Sequence, residues 1–315
     1  MAIKSPQWCW IDGSWVRWEE ATVHVATHAL HYGSSAFEGI RVYLGAEGPA
    51  VFRLHCHLRR LFDSCRIARM TPDGVGIDDV TQACMEIVER NRHGSCYLRP
   101  LVFRGSGGLG LNPRGLPIHV SILSFEWGEY LGDGALERGV NATISSWRRA
   151  APDAMAALGK IGGQYVVNSL VSLEAQQNGF QEGIMLDHTG HVAEGAGENL
   201  FVVADGTLLT PPLSSSILGG ITRRTILELA RDLGIEVREE RLTRDRLYVA
   251  DELFMTGTAA EITPVRSVDW VEIGDGRPGP ITRRLQSEFF GIVHGRIPDR
   301  HGWLQPVPQF ETSVI

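Results

Sequence analysis

At 315 residues, the chain is long for one compact domain and short for three, so we expect two domains. Hydrophobic residues make up 43% of it, charged residues make up 21%, and the formal net charge is −7. This is the composition of an ordinary globular protein, and it excludes a basic nucleic-acid-binding surface. No apolar run reaches the roughly 18 residues that a membrane span requires, so an integral membrane protein is excluded as well.

The first part of the chain, residues 1–125, is predicted to form a small α+β domain. Its first two strands, at 8–11 and 14–17, are joined by Asp12-Gly13, a strong signal for a tight hairpin turn. Asp78 is the predicted N-cap of a helix. The other predicted elements of this domain are strands at 36–43, 97–104 and 118–125 and helices at 54–70 and 78–92.

Residues 126–134 (EWGEYLGDG) interrupt the apolar pattern with glycines and are predicted to be an interdomain linker. Residues 135–315 then form a larger second domain. Gly179 and Gly234 are predicted to terminate two of its helices. Its predicted elements are strands at 140–147, 183–187, 191–193, 200–203 and 207–210 and helices at 163–178, 222–233 and 280–293.

The cysteines and the amino terminus bear on localisation. Five cysteines are scattered along the chain without a CxxC pair, and the amino terminus lacks the charged-then-apolar layout of a secretory signal. Together these features predict reduced thiols and a cytoplasmic protein.

Lysine is scarce in this chain. Of 30 basic residues, only Lys4 and Lys160 are lysines. An amine can lose its proton and attack a carbonyl, whereas a guanidinium stays charged at any working pH, so an interior lysine here indicates covalent chemistry. Lys160 stands in ALGKIGGQY, where the glycines would let a cofactor ring approach the backbone. The alternative is a lysine retained by chance, with its stem packed against a helix.

Two further positions could act on such a ring. Tyr165 could donate a hydrogen bond to a ring oxygen, although a core tyrosine is the alternative. In EGAGENLF, residues 194–201, either Glu194 or Glu198 could keep a pyridine nitrogen protonated and so make the ring an electron sink. Spacing does not choose between these glutamates, and one of them is expected to be a solvated turn residue.

Two segments have the features of an anion site. LGGITRR, residues 218–224, leads from glycines into a helix, where exposed amides and the positive end of the dipole would hold a phosphate beside the hydroxyl of Thr222. MTGTAA, residues 255–260, ends a strand with small residues and hydroxyls. Each segment taken alone is equally compatible with an ordinary helix start or strand end.

Two other patterns do not indicate a site of their own. GSGGLG, residues 105–110, matches GxGxxG, but Pro113 follows and disfavours the helix that a dinucleotide site needs, so we predict a glycine loop over an active site. His24, His28 and His31 have near-helical spacing without an acidic or cysteine ligand, so no metal site is predicted.

Together the motifs resemble those of the branched-chain aminotransferases among the fold type IV pyridoxal-phosphate enzymes. The resemblance covers nearly the whole chain, in the order WIDGSWV, HYGSSAFEGIRVY, YLRPLVF, SSWRRAAP, EGAGENLF, LGGITR, DELFMTGTAAEITPV and FFGIVHGR. It implies a small α+β domain, a linker and a larger barrel-like β domain. The implied cofactor is pyridoxal 5′-phosphate, and the implied reaction is transamination of leucine, isoleucine and valine with 2-oxoglutarate. The implied assembly is a homodimer or a higher form such as a hexamer, without nucleic-acid or membrane partners.

The resemblance also assigns roles to residues. Lys160 would be the Schiff-base lysine and general acid/base, Glu194 rather than Glu198 would pair with the pyridine nitrogen, and Tyr165 would face the ring oxygen. Leu218 would pack on the face of the ring. The implied phosphate ligands are Arg60, the amides of Ile221 and Thr222, and Thr258.

The implied substrate pocket combines amides, arginines and aromatic walls. The amides of Thr258 and Ala259 would receive a carboxylate. The distal carboxylate of glutamate needs a cation, for which Arg99 is the first candidate and Arg41 the second. The aromatic residues of the implied pocket are Tyr32, Phe37, Tyr97, Trp127 and Tyr130.

Rival functions fall into two classes. A D-amino-acid or (R)-amine aminotransferase and an aminodeoxychorismate lyase share the fold, and the motifs YGSSAFEGIR and GTAAEITPV argue against them by resemblance. A non-catalytic nucleotide- or anion-binding protein is the rival of another class. Lys160 argues against that rival, because arginine would serve phosphate binding equally well.

Overall fold

The computed structural model describes residues 5–128 and 130–308. The helices are α1 (His28–Tyr32), α2 (Leu54–Ile67), α3 (Ile77–Arg90), α4 (Ala135–Arg138), α5 (Tyr165–Gln177), α6 (Ile221–Asp232), α7 (Arg244–Tyr248) and α8 (Pro280–Val293). The strands are β1 (Trp8–Ile11), β2 (Ser14–Arg17), β3 (Ser35–Phe37), β4 (Ile40–Gly45), β5 (Gly48–Phe52), β6 (Cys96–Arg104), β7 (Ile118–Phe125), β8 (Val140–Arg148), β9 (Glu182–Leu186), β10 (Val192–Gly195), β11 (Asn199–Ala204), β12 (Thr207–Thr210), β13 (Val237–Glu239), β14 (Glu252–Gly257), β15 (Glu261–Val268), β16 (Val271–Glu272) and β17 (Leu304–Pro306).

The chain divides into two compact units. The first unit comprises Met1–Gly128, Gly159–Gln164 and Gly291–Ile315, and the second comprises Glu129–Leu158 and Tyr165–Phe290. The predicted domains, 1–125 and 135–315, follow chain order instead and therefore miss the two segments that return to the first unit. The predicted linker, 126–134, includes residue 129, which lies outside the described residues.

Backbone pairing explains why these two segments belong to the first unit. Ile161 forms an isolated antiparallel bridge with Ala36, and the amide of Gly163 donates to the carbonyl of Gly33 at 3.0 Å. Near the other end of the chain, β17 pairs with β5 in antiparallel register. Pairing of this long range leaves no periodic signal within the segment itself, so hydrophobic patterning could not place either segment.

An eight-stranded sheet forms the frame of the first unit. Its strands follow the order β17-β5-β4-β6-β7-β1-β2, and β3 pairs with β6 off this path. α2 and α3 pack against each other. α2 directs Leu54, Leu58, Leu61 and Cys65 into the core, which confirms the buried face predicted from their spacing.

Two local predictions for the first unit have different outcomes. Asp12 and Gly13 have positive φ angles of 47° and 89°, as the predicted hairpin turn requires, and β1 pairs with β2 across them. The predicted N-cap Asp78 is wrong, because the N-cap of α3 is Gly76. The Asp79 carboxylate accepts a hydrogen bond from the Gly76 amide at 2.7 Å, so the capping carboxylate lies inside the first turn.

The predicted strand at 36–43 is interrupted in the structure. β3 ends at Phe37 and β4 begins at Ile40, which leaves Glu38 and Gly39 between them. A Cβ atom on Gly39 would overlap the hydroxyl of Tyr97, so only glycine fits there. Glu38 is fully buried. The break therefore places a carboxylate inside the first unit, which strand periodicity did not predict.

The sheet of the second unit closes on itself. Its ring runs β10-β9-β8-β15-β14-β11, and β11 pairs back to β10 through Glu194 and Asn199. β12 and β13 continue from β11, and β16 pairs with β15. This ring confirms the barrel-like β domain that the resemblance implies. Glu194 stands at the pairing that closes the ring.

The helices of the second unit lie near their predicted bounds. α5 packs on β8 and β9, and α6 packs on β14. The predicted helix at 163–178 differs at its start, because Gly162–Gln164 form a short 3-10 helix and α5 begins at Tyr165. Gly179 and Gly234 have positive φ angles of 82° and 68°, which confirms them as the glycines that end α5 and α6.

Candidate active site

Lys160 lies in the first unit, just before the short 3-10 helix, and it is half-buried. Its amide donates to the hydroxyl of Ser64 at 2.9 Å, and its carbonyl accepts a hydrogen bond from the amide of Phe37 at 3.1 Å. Its Nζ atom stands 4.8 Å from the centroid of the Phe37 ring. Because the backbone is held on both sides, the origin of the side chain is fixed although no helix or strand contains it.

Arg60, on α2 of the same unit, is bound to a buried carboxylate. Its Nε and Nη2 atoms donate to the two oxygens of Glu38 at 2.6 and 2.9 Å. The Nδ1 atom of His57 lies 2.7 Å from the same carboxylate. Burial alone would raise the pKa of Glu38, but the adjacent Arg60 and His57 hold that pKa well below its usual range. The carboxylate is therefore ionised, and Arg60 carries the charge that compensates it.

His57 has the opposite electrostatic balance. Its ring is buried, and this burial lowers its pKa against the attraction of Glu38. The nearby charges of Arg60 and Lys160 lower the pKa further. The imidazole is therefore neutral, and it donates from Nδ1 because an ionised carboxylate can only accept.

Three aromatic residues of the implied substrate pocket gather near Arg99 in the first unit. The guanidinium carbon of Arg99 lies 5.0 Å from the Phe37 ring centroid and 5.5 Å from that of Tyr97. The rings of Tyr97 and Trp127 meet edge to face with centroids 4.5 Å apart. Phe37 also faces the Lys160 amine, so one ring connects the lysine with the arginine.

The other two predicted pocket residues of this unit lie at its periphery. Arg41 is half-buried opposite Tyr97 on the neighbouring strand, and its Nη2 atom donates to the carbonyl of Gly128 at 3.5 Å. Tyr32, which is 44% exposed at the end of α1, donates from its hydroxyl to the carbonyl of Leu109 at 2.7 Å. That carbonyl belongs to the glycine loop 105–110, and no helix follows this loop, as Pro113 predicts.

In the second unit, Glu194 is buried and receives contacts from three parts of the chain. Its Oε2 atom accepts hydrogen bonds from the amide of Leu218 at 2.9 Å and from the side-chain amide of Asn199 at 3.2 Å. Its Oε1 atom lies 3.2 Å from Nε of Arg149, which also donates to the carbonyl of Ser216 at 2.9 Å. The direction of this carboxylate is therefore set by side chains and backbone together.

Glu198 differs from Glu194 in its contacts. It is also buried, which contradicts the expectation that one of the two glutamates is a solvated turn residue. Its Oε2 atom accepts a hydrogen bond from the adjacent amide of Gly197 at 3.0 Å. The contact is local to its own turn, whereas Glu194 is tied to the segment that leads into α6. This difference favours Glu194 as the carboxylate directed at a ligand.

The start of α6 has the geometry expected of an anion site. Gly220 is its N-cap and, having no side chain, supplies no side-chain capping hydrogen bond. Ile221 and Thr222 follow as the first helical residues, and both are buried. A Cβ atom on Gly220 would overlap the side-chain oxygen of Asn199. The side-chain amide nitrogen of Asn199 donates to the carbonyl of Leu218 at 2.9 Å. Because Gly220 has no side chain, the backbone before α6 can pack closely against Asn199, which donates a hydrogen bond to Glu194.

The remaining predicted residues lie at other edges of the second unit. Thr258 and Ala259 are half-buried in the turn between β14 and β15. Tyr165 is half-buried as the first residue of α5. Tyr130 is 40% exposed.

Sequence reasoning missed five polar residues of these two clusters. His57 and Ser64 share a face of α2 with Arg60, but spacing alone does not distinguish them from core positions. A glutamate between an apolar strand and a glycine is a weak signal that could have indicated Glu38. Arg149 and Asn199 stand in two of the quoted motifs, SSWRRAAP and EGAGENLF, without any periodic feature. The missed residues are Glu38, His57, Ser64, Arg149 and Asn199.

None of the helices in the described part of the chain is both long and apolar enough to cross a membrane. Across residues 5–128 and 130–308, no cluster of three histidine, cysteine or carboxylate side chains is arranged to hold a metal ion.

Comparisons with known proteins show which family the chain matches. The family model described as amino-transferase class IV matches residues 35–268. The branched-chain-amino-acid aminotransferase of Escherichia coli (strain K12) is 53% identical over 310 residues, which are 98% of this chain and 100% of that relative.

Two solved structures are similar over almost their entire length. The crystal structure of the Escherichia coli branched-chain amino acid aminotransferase has a TM-score of 0.94 and 52% identity, and the match covers 96% of this chain and 100% of that one. The branched-chain amino acid aminotransferase of Thermobaculum terrenum, solved in its PLP-form, has a TM-score of 0.90 and 36% identity, and the match covers 97% of this chain and 99% of that one. The chain belongs to the class IV aminotransferases, and within them to the branched-chain-amino-acid aminotransferases.

Proposed function

We propose that the protein uses pyridoxal 5′-phosphate to exchange amino groups between L-leucine, L-isoleucine or L-valine and 2-oxoglutarate. One structural observation carries the proposal: Lys160, the only lysine besides Lys4, is a half-buried amine held at its backbone beside the Phe37 ring, which Arg99 also contacts. The relatives named branched-chain aminotransferases, and the similar structure solved in its PLP-form, support the same substrate class and cofactor.

The residues present fit the cofactor. An amine suits its aldehyde, a buried carboxylate suits its pyridine nitrogen, and an arginine with the start of a helix suits its phosphate. Glu194 accepts a hydrogen bond from the Leu218 amide, and Gly220, the N-cap of α6, supplies no side-chain cap of its own. Lys160 would hold the cofactor covalently, and the residues proposed to bind its phosphate are Arg60, Thr258 and, through their amides, Ile221 and Thr222.

The residues of the chain then have separate tasks. When bound, pyridoxal phosphate would supply an electron sink for the charge that develops at the substrate α-carbon and a carrier for the amino group. Lys160 moves the proton at that carbon, which requires its amine to be neutral when it accepts the proton. Glu194 keeps the pyridine nitrogen protonated, and Tyr165 donates to the ring oxygen. Leu218, whose amide holds Glu194, presents its side chain to the ring.

Substrate selection follows from the aromatic group around Arg99. Phe37, Tyr97 and Trp127 offer apolar area that a branched side chain can cover, and one methylene in such a pocket is worth about 1–3 kcal/mol. Among the described residues, no carboxylate forms an ion pair with Arg99. Its charge therefore suits the distal carboxylate of glutamate or 2-oxoglutarate.

Spectroscopy of the purified enzyme tests the proposal. Mixing the pyridoxal form with L-leucine, L-isoleucine, L-valine or L-glutamate should convert it to the pyridoxamine form, and D-alanine and (R)-phenylethylamine should convert it slowly. Fast conversion by the D-amino acid would overturn the substrate class. A preparation with added pyridoxal phosphate but without any visible absorption band from a bound cofactor would overturn the proposed chemistry.

Lys160→Ala tests the role of the lysine. It should lower turnover by at least the 10²–10⁴-fold typical of general acid–base catalysis, because the base and the covalent anchor are lost together. Borohydride should fix the cofactor on Lys160 in the native enzyme. Label found on another residue, or full activity of the variant, would contradict the assignment.

We also propose that the enzyme works in the cytoplasm as a homodimer or a higher assembly. All five cysteines are free thiols, which suits a reducing compartment. Large apolar side chains of the first unit are exposed, including Val25 at 74% and Leu111 at 81%, and such exposure is typical of a surface that another chain covers.

A further inference from the structure

The first unit buries an ionised carboxylate that the proposed reaction does not use. Glu38 has no exposed surface and lies between β3 and β4, where the sheet is interrupted. A buried charge is costly unless it is paired, and an apolar residue of similar volume often serves stability as well as a buried ion pair does. Stability alone therefore does not account for a carboxylate at this position.

The geometry around Glu38 fixes the orientation of one arginine. Its two oxygens accept from Nε and Nη2 of Arg60, and this two-point contact sets the plane of the guanidinium. The neutral His57 holds Oε2 from the other direction at 2.7 Å, and the Gly39 amide lies 3.3 Å from the same oxygen. The Arg60 side chain keeps 14% of its surface exposed while Glu38 keeps none. The two-point contact therefore fixes the plane of the Arg60 guanidinium, while part of the Arg60 side chain remains accessible.

The same face of α2 also reaches Lys160. Ser64, fully buried one turn after Arg60, donates from its hydroxyl to the Arg60 carbonyl at 2.7 Å and accepts from the Lys160 amide at 2.9 Å. Phe37, the neighbour of Glu38 in the chain, donates to the Lys160 carbonyl at 3.1 Å. One turn of α2 and the break after β3 thus hold both the arginine and the lysine.

We propose that Glu38 is a positioning residue, which orients Arg60 toward the phosphate of the cofactor through their two-point contact. The inference rests on the proposed role of Arg60 as a phosphate ligand. If it is correct, replacing Glu38 weakens binding of the phosphate and leaves binding of the ring unchanged.

Titration of the full-length apoenzyme with two cofactor probes separates the contribution of the phosphate to binding from the contribution of the ring. The probes are pyridoxal 5′-phosphate and pyridoxal, which lacks the phosphate, and both can be titrated by quenching of tryptophan fluorescence. Glu38→Gln should weaken pyridoxal phosphate about tenfold to a hundredfold, the range of a lost charge-assisted hydrogen bond. It should leave the dissociation constant of pyridoxal within about threefold, since ring and aldehyde contacts do not involve Arg60. Glu182→Gln, at another buried carboxylate, is the matched control and should preserve both constants.

Two further variants complete the test. Arg60→Ala should show the same selective loss, and adding Glu38→Gln to it should cause no further loss, because Glu38 acts through Arg60. Glu38→Asp keeps the charge on a shorter side chain and should show a smaller loss, again for the phosphate form only.

The outcomes separate the inference from the proposed function. Equal loss for both probes, additive losses in the double variant, or failure of both Glu38 variants to fold would overturn the inference and leave a core role. Unchanged affinity in Arg60→Ala would also overturn it, while the enzyme would remain an aminotransferase. Failure of the proposed function would instead appear as wild-type protein that binds neither probe.

Discussion

Arg99 places its charge against aromatic faces, whereas Arg60, the arginine predicted to bind the phosphate, is held by a carboxylate. The ring centroids of Phe37 and Tyr97 lie within 5.5 Å of the Arg99 guanidinium carbon. The buried Nε atom of Arg99 forms no hydrogen bond among the described residues. A guanidinium on aromatic faces is stabilised modestly, by about 0.5–2 kcal/mol, and remains able to accept a carboxylate. Arg99 in this arrangement can bind a charged substrate side chain. When the substrate side chain is apolar, the aromatic rings still stabilise the charge of Arg99, so the loss of binding free energy is small.

Arg99→Ala should therefore separate the two kinds of substrate. We expect kcat/KM for L-glutamate and 2-oxoglutarate to fall roughly 10–100-fold, because the distal carboxylate loses a charge-assisted contact. L-Leucine should change by less than about threefold, the effect of a small change in apolar contact. Arg41→Ala is the comparison, because Arg41, which lies opposite Tyr97, is the second candidate for the same carboxylate; a larger selective loss in that variant would assign the carboxylate to Arg41. Equal losses for glutamate and leucine would place Arg99 on the shared α-carboxylate or in a structural role.

At the scale of residues, the sequence predicts the type of chemistry better than it predicts the contacts. The scarcity of lysine indicates Lys160 because it is a property of the whole composition. The choice between Glu194 and Glu198 depends on which carboxylate meets the Leu218 amide, and spacing in EGAGENLF does not contain that information. Ser64 and Asn199 act through hydrogen bonds to distant segments, so they could be found only in three dimensions.

At the scale of elements, hydrophobic periodicity predicts where most strands and helices lie but not where they break. The strand predicted at 36–43 fails at Glu38 and Gly39, because a buried ion pair and the close approach of Tyr97 override strand propensity there. The N-cap of α3 fails for a related reason, since Asp79 rather than Asp78 reaches the capping amide. In both cases the hydrogen-bond partner of a carboxylate, Glu38 or Asp79, determines the local backbone conformation.

β9 contains a second buried carboxylate, Glu182, whose pKa is raised, whereas the pKa of Glu38 is lowered. Glu182 accepts a hydrogen bond from the Gly183 amide at 2.7 Å and has 1% of its surface exposed. Burial raises its pKa to about 7, although hydrogen bonds from the Gly183 and Ala196 amides lower it in part. Folded protein therefore keeps the proton at pH values where the unfolded chain, with a pKa near 4.5, has lost it.

The sign of the resulting pH dependence is fixed by proton binding. Between about pH 4.5 and 7 the folded state binds more protons at Glu182 than the unfolded state, so its contribution to stability falls as pH rises and levels off above 7. The full loss is about 3 kcal/mol at most. Glu182→Gln cannot ionise, so its melting temperature relative to wild type should shift upward between pH 5 and pH 8.

Calorimetry across this pH range checks the prediction for Glu182. Glu272→Gln, at an exposed position on β16, is the control and should show a difference that does not change with pH. A difference between Glu182→Gln and wild type that stays constant from pH 5 to pH 8 would show that the carboxyl is ionised, or equally solvated, in both states.

At the scale of the whole molecule, chain order predicts the number of units but not their membership. Two domains are expected from length, and the chain has two compact units. Gly159–Gln164 and Gly291–Ile315 belong to the first unit because of backbone pairing, which a linear boundary cannot represent. Lys160 lies in one of these returning segments. The prediction of a second domain at 135–315 includes Lys160, whereas the contacts of the structure group Lys160 with the first unit.

The exposed apolar surface of the first unit leads to a prediction about assembly. Val25, Leu30 and Leu111 are 74%, 62% and 81% exposed. They lie on two segments that hydrogen bonds hold together, since Tyr32 donates to the Leu109 carbonyl and a ring nitrogen of His28 contacts the Gly110 carbonyl. Large apolar side chains exposed on two segments that contact each other are typical of a surface that a second copy covers.

Charge placed in this surface should prevent association. Leu111→Asp should convert the enzyme from a dimer or larger form to a monomer in sedimentation velocity, because an unpaired carboxylate in an apolar interface costs several kcal/mol. Val249→Asp is the matched control, since Val249 is 68% exposed in the second unit, and it should leave the sedimentation coefficient unchanged. Because Tyr32 is tied to the loop that contains Leu109, the monomer should also lose activity toward L-leucine even though Lys160 and Glu194 are intact. A wild-type protein that sediments as a monomer at all concentrations, or a Leu111→Asp variant that remains associated, would contradict this account of the surface.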